Sequence, residues 1–187
     1  MSKILKWSKK EYKLHTRIIT TLSAGPIFLV LIPLVVIWLG PKLDAYFGIP
    51  TINVKPYRMI FIILISIPGY CLALWSIITQ IKIGRGTPLP MMATQNLLII
   101  GPFKYSRNPM SLGTVLMYLG ISLYAGSFSS IEIACFLSFI LLLYLKKIEE
   151  KELAERFGEE YLEYKKSIPF IIPKIEYSFK KTGSGPG

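Results

Sequence analysis

The chain sorts its polar and apolar residues into long blocks rather than alternating them. Thr20 to Gly40 carries no charge between Arg17 and Lys42, and Met59 to Ile81 carries none between Arg58 and Lys82. A helix rises about 1.5 Å per residue and a hydrocarbon core is about 30 Å thick, so each run predicts a membrane-spanning helix. A third block, Met110 to Leu145, is too long for one span and gathers Gly126, Ser127, Ser129, Ser130 and Glu132 near its middle. It predicts a helical hairpin turning near Ala125 to Ser130, with arms at the short end of the spanning range. The fold class expected is an all-α integral membrane protein with four transmembrane helices, leaving room for a fifth or a re-entrant piece. Pro26 and Pro33 predict a kink in the first span, which neighbouring helices can accommodate in lipid.

Composition agrees with this reading. Of 187 residues, 52% are hydrophobic and 18% charged, too apolar for a disordered chain and too poor in charge for an ordinary soluble surface. A secretory signal is disfavoured, because the first apolar run is long and ends in Trp38-Leu39-Gly40-Pro41 without a small-x-small cleavage pattern. The net charge of +11 comes from 22 Lys and Arg residues, of which 19 fall in the N-terminal stretch, the connection after the second span and the tail. The positive-inside rule places those three segments, and both termini, on the cytoplasmic side of a multi-pass cell-membrane protein. The basic excess is thereby assigned to topology and anionic lipid rather than nucleic acid.

Cys71 and Cys135 lie inside predicted spans without ligand spacing, and His15 sits in the basic leader, so no metal site is expected. The Gly84-Arg85-Gly86 triplet lacks a preceding strand and does not make a dinucleotide fingerprint. Chemistry is therefore sought in two polar stretches beside the membrane, Gly84 to Ser111 and Lys146 to Ser167. Asn108-Pro109 reads as a helix start, with Asn as N-cap and Pro at the first helical position. The helix end it begins, with Lys104 and Arg107 beside it, can receive a carboxylate or phosphate. Glu149 and Glu150 stand where the hairpin leaves the lipid, a depth at which ionisable groups usually face protein or a wet cavity. A tight hairpin makes Asn108 and Glu149 neighbours. With Thr94, Gln95 and Asn96 and the apolar run Leu97 to Ile100, that set suits a zwitterionic amino-acid end joined to a ribose and a flat base: S-adenosylmethionine, or less well a nicotinamide dinucleotide.

Several blocks in one order now carry a resemblance. Gly84-Arg85-Gly86-Thr87-Pro88, Leu97-Leu98, Gly101-Pro102-Phe103-Lys104-Tyr105-Ser106-Arg107-Asn108-Pro109-Met110, the hairpin, Glu149-Glu150, and Phe157-Gly158-Glu159-Glu160-Tyr161 on to Pro169 resemble the isoprenylcysteine carboxyl methyltransferase family, in a prokaryotic form, and its phospholipid methyltransferase relatives. The resemblance covers about half the chain, and the first two spans match only in being apolar. It implies an integral membrane enzyme that transfers the methyl group of S-adenosylmethionine to a lipophilic acceptor, leaving S-adenosylhomocysteine. Cofactor contacts implied are Gln95, Asn96, Leu97, Leu98, Phe103, Asn108, Pro109, Met110, Ser111 and Glu149. Arg107 would meet an anionic headgroup or the cofactor carboxylate, and Glu150 would serve as base for an amine acceptor. The chain departs from the pattern at Asn108 and Phe103, and Leu145 stands where an arginine would steer an acceptor carboxylate.

That reading divides the chain into a basic leader with two spans (1–81), a catalytic membrane core (82–175) and a flexible tail (176–187). Partners expected are membrane lipids and a lipophilic or prenylated-cysteine substrate, with the active site at the cytoplasmic face; the sequence leaves the oligomeric state open and is compatible with a monomer. The activity expected is methylation of a prenylated cysteine carboxylate or similar acid. The alternatives are phospholipid N-methylation, an NADPH-dependent sterol-reductase-like enzyme and a non-enzymatic scaffold.

Overall fold

A computed structural model describes residues 12–53, 55–89 and 92–173. The leader before Tyr12 and the expected flexible tail lie outside the described residues. Four helical stretches follow in order: α1 (Leu14–Phe47), α2 (Lys55–Lys82), α3 (Pro109–Ala125) and α4 (Phe128–Ser167). The described residues hold no strand. α1, α2 and α4 are long and apolar enough to cross a membrane, and α3 is a shorter apolar helix of 17 residues. No fifth span or re-entrant helix occurs among the described residues, since the connection from α2 to α3 contains only a short 3-10 turn at Gly101–Lys104 within its described part.

The helices outrun the uncharged runs at both ends because lipid does not set a helix boundary; the next breaker does. α1 continues past Gly40 and Pro41 until Gly48, whose left-handed φ of 68° closes the last turn. Between Pro26 and Pro33, the prolines from which a kink is expected, lies a π-helical turn, Ile27–Leu31, and a second, Ile62–Ser66, ends two residues before Pro68. A proline ring crowds the carbonyl of the preceding turn, and widening that turn by one residue accommodates the ring without ending the helix.

α3 is the centre of the bundle, touching α1, α2 and α4. It is lined with small residues where α2 crosses it. A Cβ added at Gly113 would sit 2.4 Å from the Gly69 carbonyl oxygen, and one at Gly120 would sit 2.3 Å from Ser66 Oγ. Close backbone approach of this kind replaces the hydrophobic drive that lipid does not provide. The polarity of the bundle is accordingly inverted: Ser66, Ser76, Ser122 and Ser130 are buried between helices, whereas Leu22, Leu64, Phe136 and Phe139 face outward. Buried hydroxyls reach main-chain acceptors across helices, Ser130 Oγ donating to Val36 O at 2.9 Å and the Tyr118 hydroxyl to Phe28 O at 2.8 Å. Such a surface is stable only in lipid, and the protein is an all-α integral membrane protein.

The hairpin turns at Gly126, where the sequence placed it, with a left-handed φ of 64°. Its tip is fixed to α1 by Asp44, fully buried, whose carboxylate accepts from Ser129 N at 3.0 Å, and by Ser127, which caps α4 through Ser130 N. With the tip and the crossing both fixed, the other end of the hairpin has little freedom. Gly113→Ala is expected to cost about 1–3 kcal/mol through overpacking against α2, read as a lower melting midpoint in detergent; an unchanged midpoint would refute the close crossing.

Candidate active site

The mouth of the hairpin brings together the segments that the sequence singled out. One cavity, about 910 Å³ including its opening to solvent, is walled by the end of α2, the connection, the start of α3 and the part of α4 beyond the apolar run. Leu97, Leu98, Phe103, Pro109, Met110 and Ser111 line it, as do Asn108 and Glu149, the pair expected to be neighbours. Gln95 and Asn96 do not. Their backbone amides donate to the Gly84 carbonyl at 2.7 and 3.4 Å, and the Gln95 and Asn96 side chains donate to Ala93 O and Ile83 O. They shape the connection instead of lining the pocket. The same fold explains Gly86, where a Cβ would lie 2.4 Å from Thr94 backbone atoms.

Asn108 begins α3 as expected but does not cap it with its side chain. Its amide instead donates to Phe170 O at 2.9 Å, and its backbone N–H donates to Ser106 Oγ at 3.2 Å. Pulling residues 168–170 over the mouth is thus the work of several groups. The Arg107 backbone N–H donates to Pro169 O, Arg107 Nε to Ile168 O and Ser106 Oγ to Phe170 O. The returning segment took the groups that the sequence pattern offered to a cap and a ligand.

Arg107 and Glu150, the two expected catalytic residues, form an ion pair with each other. The second Glu150 oxygen accepts from Lys165 Nζ at 2.8 Å, and Arg107 also donates to the Tyr161 hydroxyl at 3.3 Å. Glu150 is buried and does not line the cavity. Both oxygens of its carboxylate are thus taken by cationic side chains, an arrangement that ties the segment before α3 to α4. Burial, reinforced by the Glu150 charge, pushes the Tyr161 phenol up to about 12, so it acts as a neutral hydrogen-bonding group at the junction.

Glu149, one residue earlier and about 100° around the helix, faces the cavity. The apolar arm of α4 ends at Leu145, and a π-helical turn, Leu145–Glu149, follows with Lys146 and Lys147 inside it. No proline occasions this widened turn, and such turns concentrate at functional sites. Glu149 has no ion-pair partner among the described residues. Burial pushes its carboxyl up to about 7, the Glu152 charge adding to the effect and Arg156 opposing it.

Sequence reasoning did not single out Glu152 and Arg156, which also line the cavity. They pair at i,i+4, 3.4 Å apart, and the Arg156 guanidinium donates to Thr94 O, strapping the connection to α4. An i,i+4 pair of this kind is by spacing alone an ordinary feature of a solvated helix face. The signal for more was the phase of the helix, since Leu145, Glu149, Glu152 and Arg156 recur at three- and four-residue steps and fall on one side. Both cations that line the cavity, Arg107 and Arg156, are therefore neutralised by carboxylates, and Leu145 forms buried wall.

Fold and site together define a helical membrane protein with a cavity of mixed polar and apolar lining at the mouth of a hairpin. The family model for phospholipid methyltransferases matches residues 57–160, which include almost every residue lining that cavity. The chain belongs to this family and is a membrane methyltransferase, an enzyme that takes its methyl group from a donor. No curated protein matches it.

The ion-pair assignment separates the two glutamates by experiment. Glu150→Ala strands Arg107 in a buried position and is expected to cost about 3–5 kcal/mol, whereas Glu149→Ala leaves the thermal midpoint of the ligand-free protein nearly unchanged. Equal losses, followed by thermal unfolding in detergent, would contradict it.

Proposed function

We propose that the protein transfers the methyl group of S-adenosylmethionine to a lipid-borne acceptor at the cytoplasmic membrane face, and that the acceptor is the amine of a phospholipid headgroup. The observation that carries this reading is Glu149, without an ion-pair partner among the described residues, in a cavity whose two described cations are already paired. A carboxylate there favours a ligand ammonium, and the donor has one. The apolar wall of Leu97, Leu98 and Phe103 suits the flat base of the same molecule.

The donor supplies a methyl carbon already activated by a sulfonium. The protein's share is to bind, align and exclude water. Glu149 holds the donor's ammonium, and Asn108 and Arg107 keep the returning segment 168–170 in place. An amine acceptor also has to give up a proton, and Glu152, on the same face as Glu149 but paired with Arg156, would take it only by releasing that partner. Methylation of a prenylated cysteine carboxylate is less well served, because Leu145 and two paired arginines offer that anion no free cation. The same absence weighs against a phosphate-rich nicotinamide dinucleotide.

Titration calorimetry of the purified protein with S-adenosylhomocysteine, and separately with NADPH, tests the reading. Binding of the adenosyl ligand alone is expected, and binding of NADPH alone would overturn it. Glu149→Ala should weaken S-adenosylhomocysteine by about 1–3 kcal/mol, as for a hydrogen bond to a charged group. Because the Glu149 carboxyl lies near 7 in the free protein and an ammonium favours its ionised form, binding takes up the carboxylate and expels a proton below that value. Affinity should therefore fall as pH drops through 7, by up to about tenfold per unit, and Glu149→Gln should flatten the dependence.

A further inference from the structure

One polar group in the cavity has no use in the scheme above. Gln80, in the last turns of α2, lines the cavity, and its carboxamide oxygen is buried without a hydrogen-bond partner among the described residues. A desolvated acceptor left unpaired is costly and is normally satisfied by protein, water or ligand. The side chains of Ser76 and Thr79 in the same helix satisfy themselves on the carbonyls one turn back, so the unsatisfied state of Gln80 is not a general property of this part of α2.

The surroundings of Gln80 indicate what it could meet. Its backbone carbonyl accepts from Gly86 N at 3.2 Å. A Cβ added at Gly84 would touch the Gln80 carbonyl, Thr94 Cγ2 and Leu98 Cδ1 together, within 2.8–3.0 Å. Gln80 therefore sits where the connection folds back on α2, on the wall that contributes Leu98 and Thr94. The carboxylates of the cavity, Glu149 and Glu152, come from α4. A neutral carboxamide on the wall that contributes Leu98 and Thr94 is suited to the neutral edge of a flat heterocycle. It is poorly suited to a lipid chain, which has no hydrogen to donate, or to an ammonium, for which the α4 carboxylates compete.

We propose that Gln80 is a specificity-determining residue that reads the adenine of the methyl donor, its carboxamide oxygen accepting a hydrogen from the exocyclic amino group. This assignment rests on the adenosyl-donor reading. It fixes the direction of the ligand in the cavity, with the base at α2 and the connection and the amino-acid end at α4. It also gives the tight turn at Gly84-Arg85-Gly86 a purpose, because that turn holds Leu98 and Thr94 against the α2 wall beside Gln80.

The test is a binding cycle read by calorimetry on the full-length protein in detergent. S-adenosylhomocysteine and its 6-deamino analogue, with purine in place of adenine, are titrated into wild type, Gln80→Leu and Gln80→Glu. Wild type is expected to bind the adenine ligand about tenfold more tightly than the purine ligand. Gln80→Leu should lose about that factor for the adenine ligand alone, so that its preference disappears, while Gln80→Glu, which keeps an acceptor, should retain it. Equal binding of both ligands by wild type would overturn the assignment without recourse to any variant, as would a preference that survives in Gln80→Leu. Either result, with S-adenosylhomocysteine still bound, leaves the methyltransferase reading standing; failure of wild type to bind either ligand overturns both.

Discussion

A buried charge pair, Arg107 with Glu150, holds the working end of the molecule together. Removing two ions from water costs several kcal/mol each, and their attraction offsets that cost only when the remaining hydrogen-bonding capacity is also used. Here it is. Lys165 takes the second carboxylate oxygen, and Tyr161 and the Ile168 carbonyl take up guanidinium N–H groups. The pair joins the segment before α3 to the far end of the hairpin, and through Ile168 it brings the C-terminal segment across the mouth. Glu150 is consumed in this structure, and the helix turns its neighbour Glu149 toward the cavity, where a carboxylate can serve a ligand.

The opposite end of the hairpin is fixed by different means. Asp44, Ser127 and Ser130 satisfy the open amides of α4 and bind the tip to α1, and small residues hold α3 against α2 along their length. A bundle in lipid gains nothing from burying leucine, so it is built on close backbones and shared hydrogen bonds. The cavity can then be open without loosening the rest of the bundle, because the tip and the α2–α3 crossing are held independently of it. The π-helical turns divide the same way. Those before Pro33 and Pro68 relieve a ring, while the one ending at Glu149 has no ring to relieve and borders the cavity.

Much of this was legible in the sequence. Uncharged runs gave the helices, Gly126 gave the hairpin turn, and the polar ends of that hairpin gave the neighbourhood of Asn108 and Glu149. Long-range pairing was not legible. Arg107 and Glu150 looked catalytic because they are charged residues at the right depth, and nothing local shows that they neutralise each other. Asn108 looked like a cap, but the carbonyl of Phe170, far along the chain, competes successfully for its amide. Gln95 and Asn96 looked like ligand contacts by their position in a motif, and their hydrogen bonds to a tight turn could be seen only in three dimensions. Glu152 and Arg156 were hidden for the opposite reason, since an i,i+4 pair is an ordinary surface feature.

The charge arrangement is what links the fold to an acceptor. With the described cations that line it paired and Glu149 left over, the cavity in the proposed reading takes ligands that bring positive charge. The most direct measurement is transfer of labelled methyl from S-adenosylmethionine in membranes containing the protein, with the products separated by class. Label in the amine headgroup of phospholipids, lost in Glu149→Gln membranes with the protein still folded, is the predicted result. Label confined to base-labile methyl esters, or transfer unaffected by Glu149→Gln, would contradict the account.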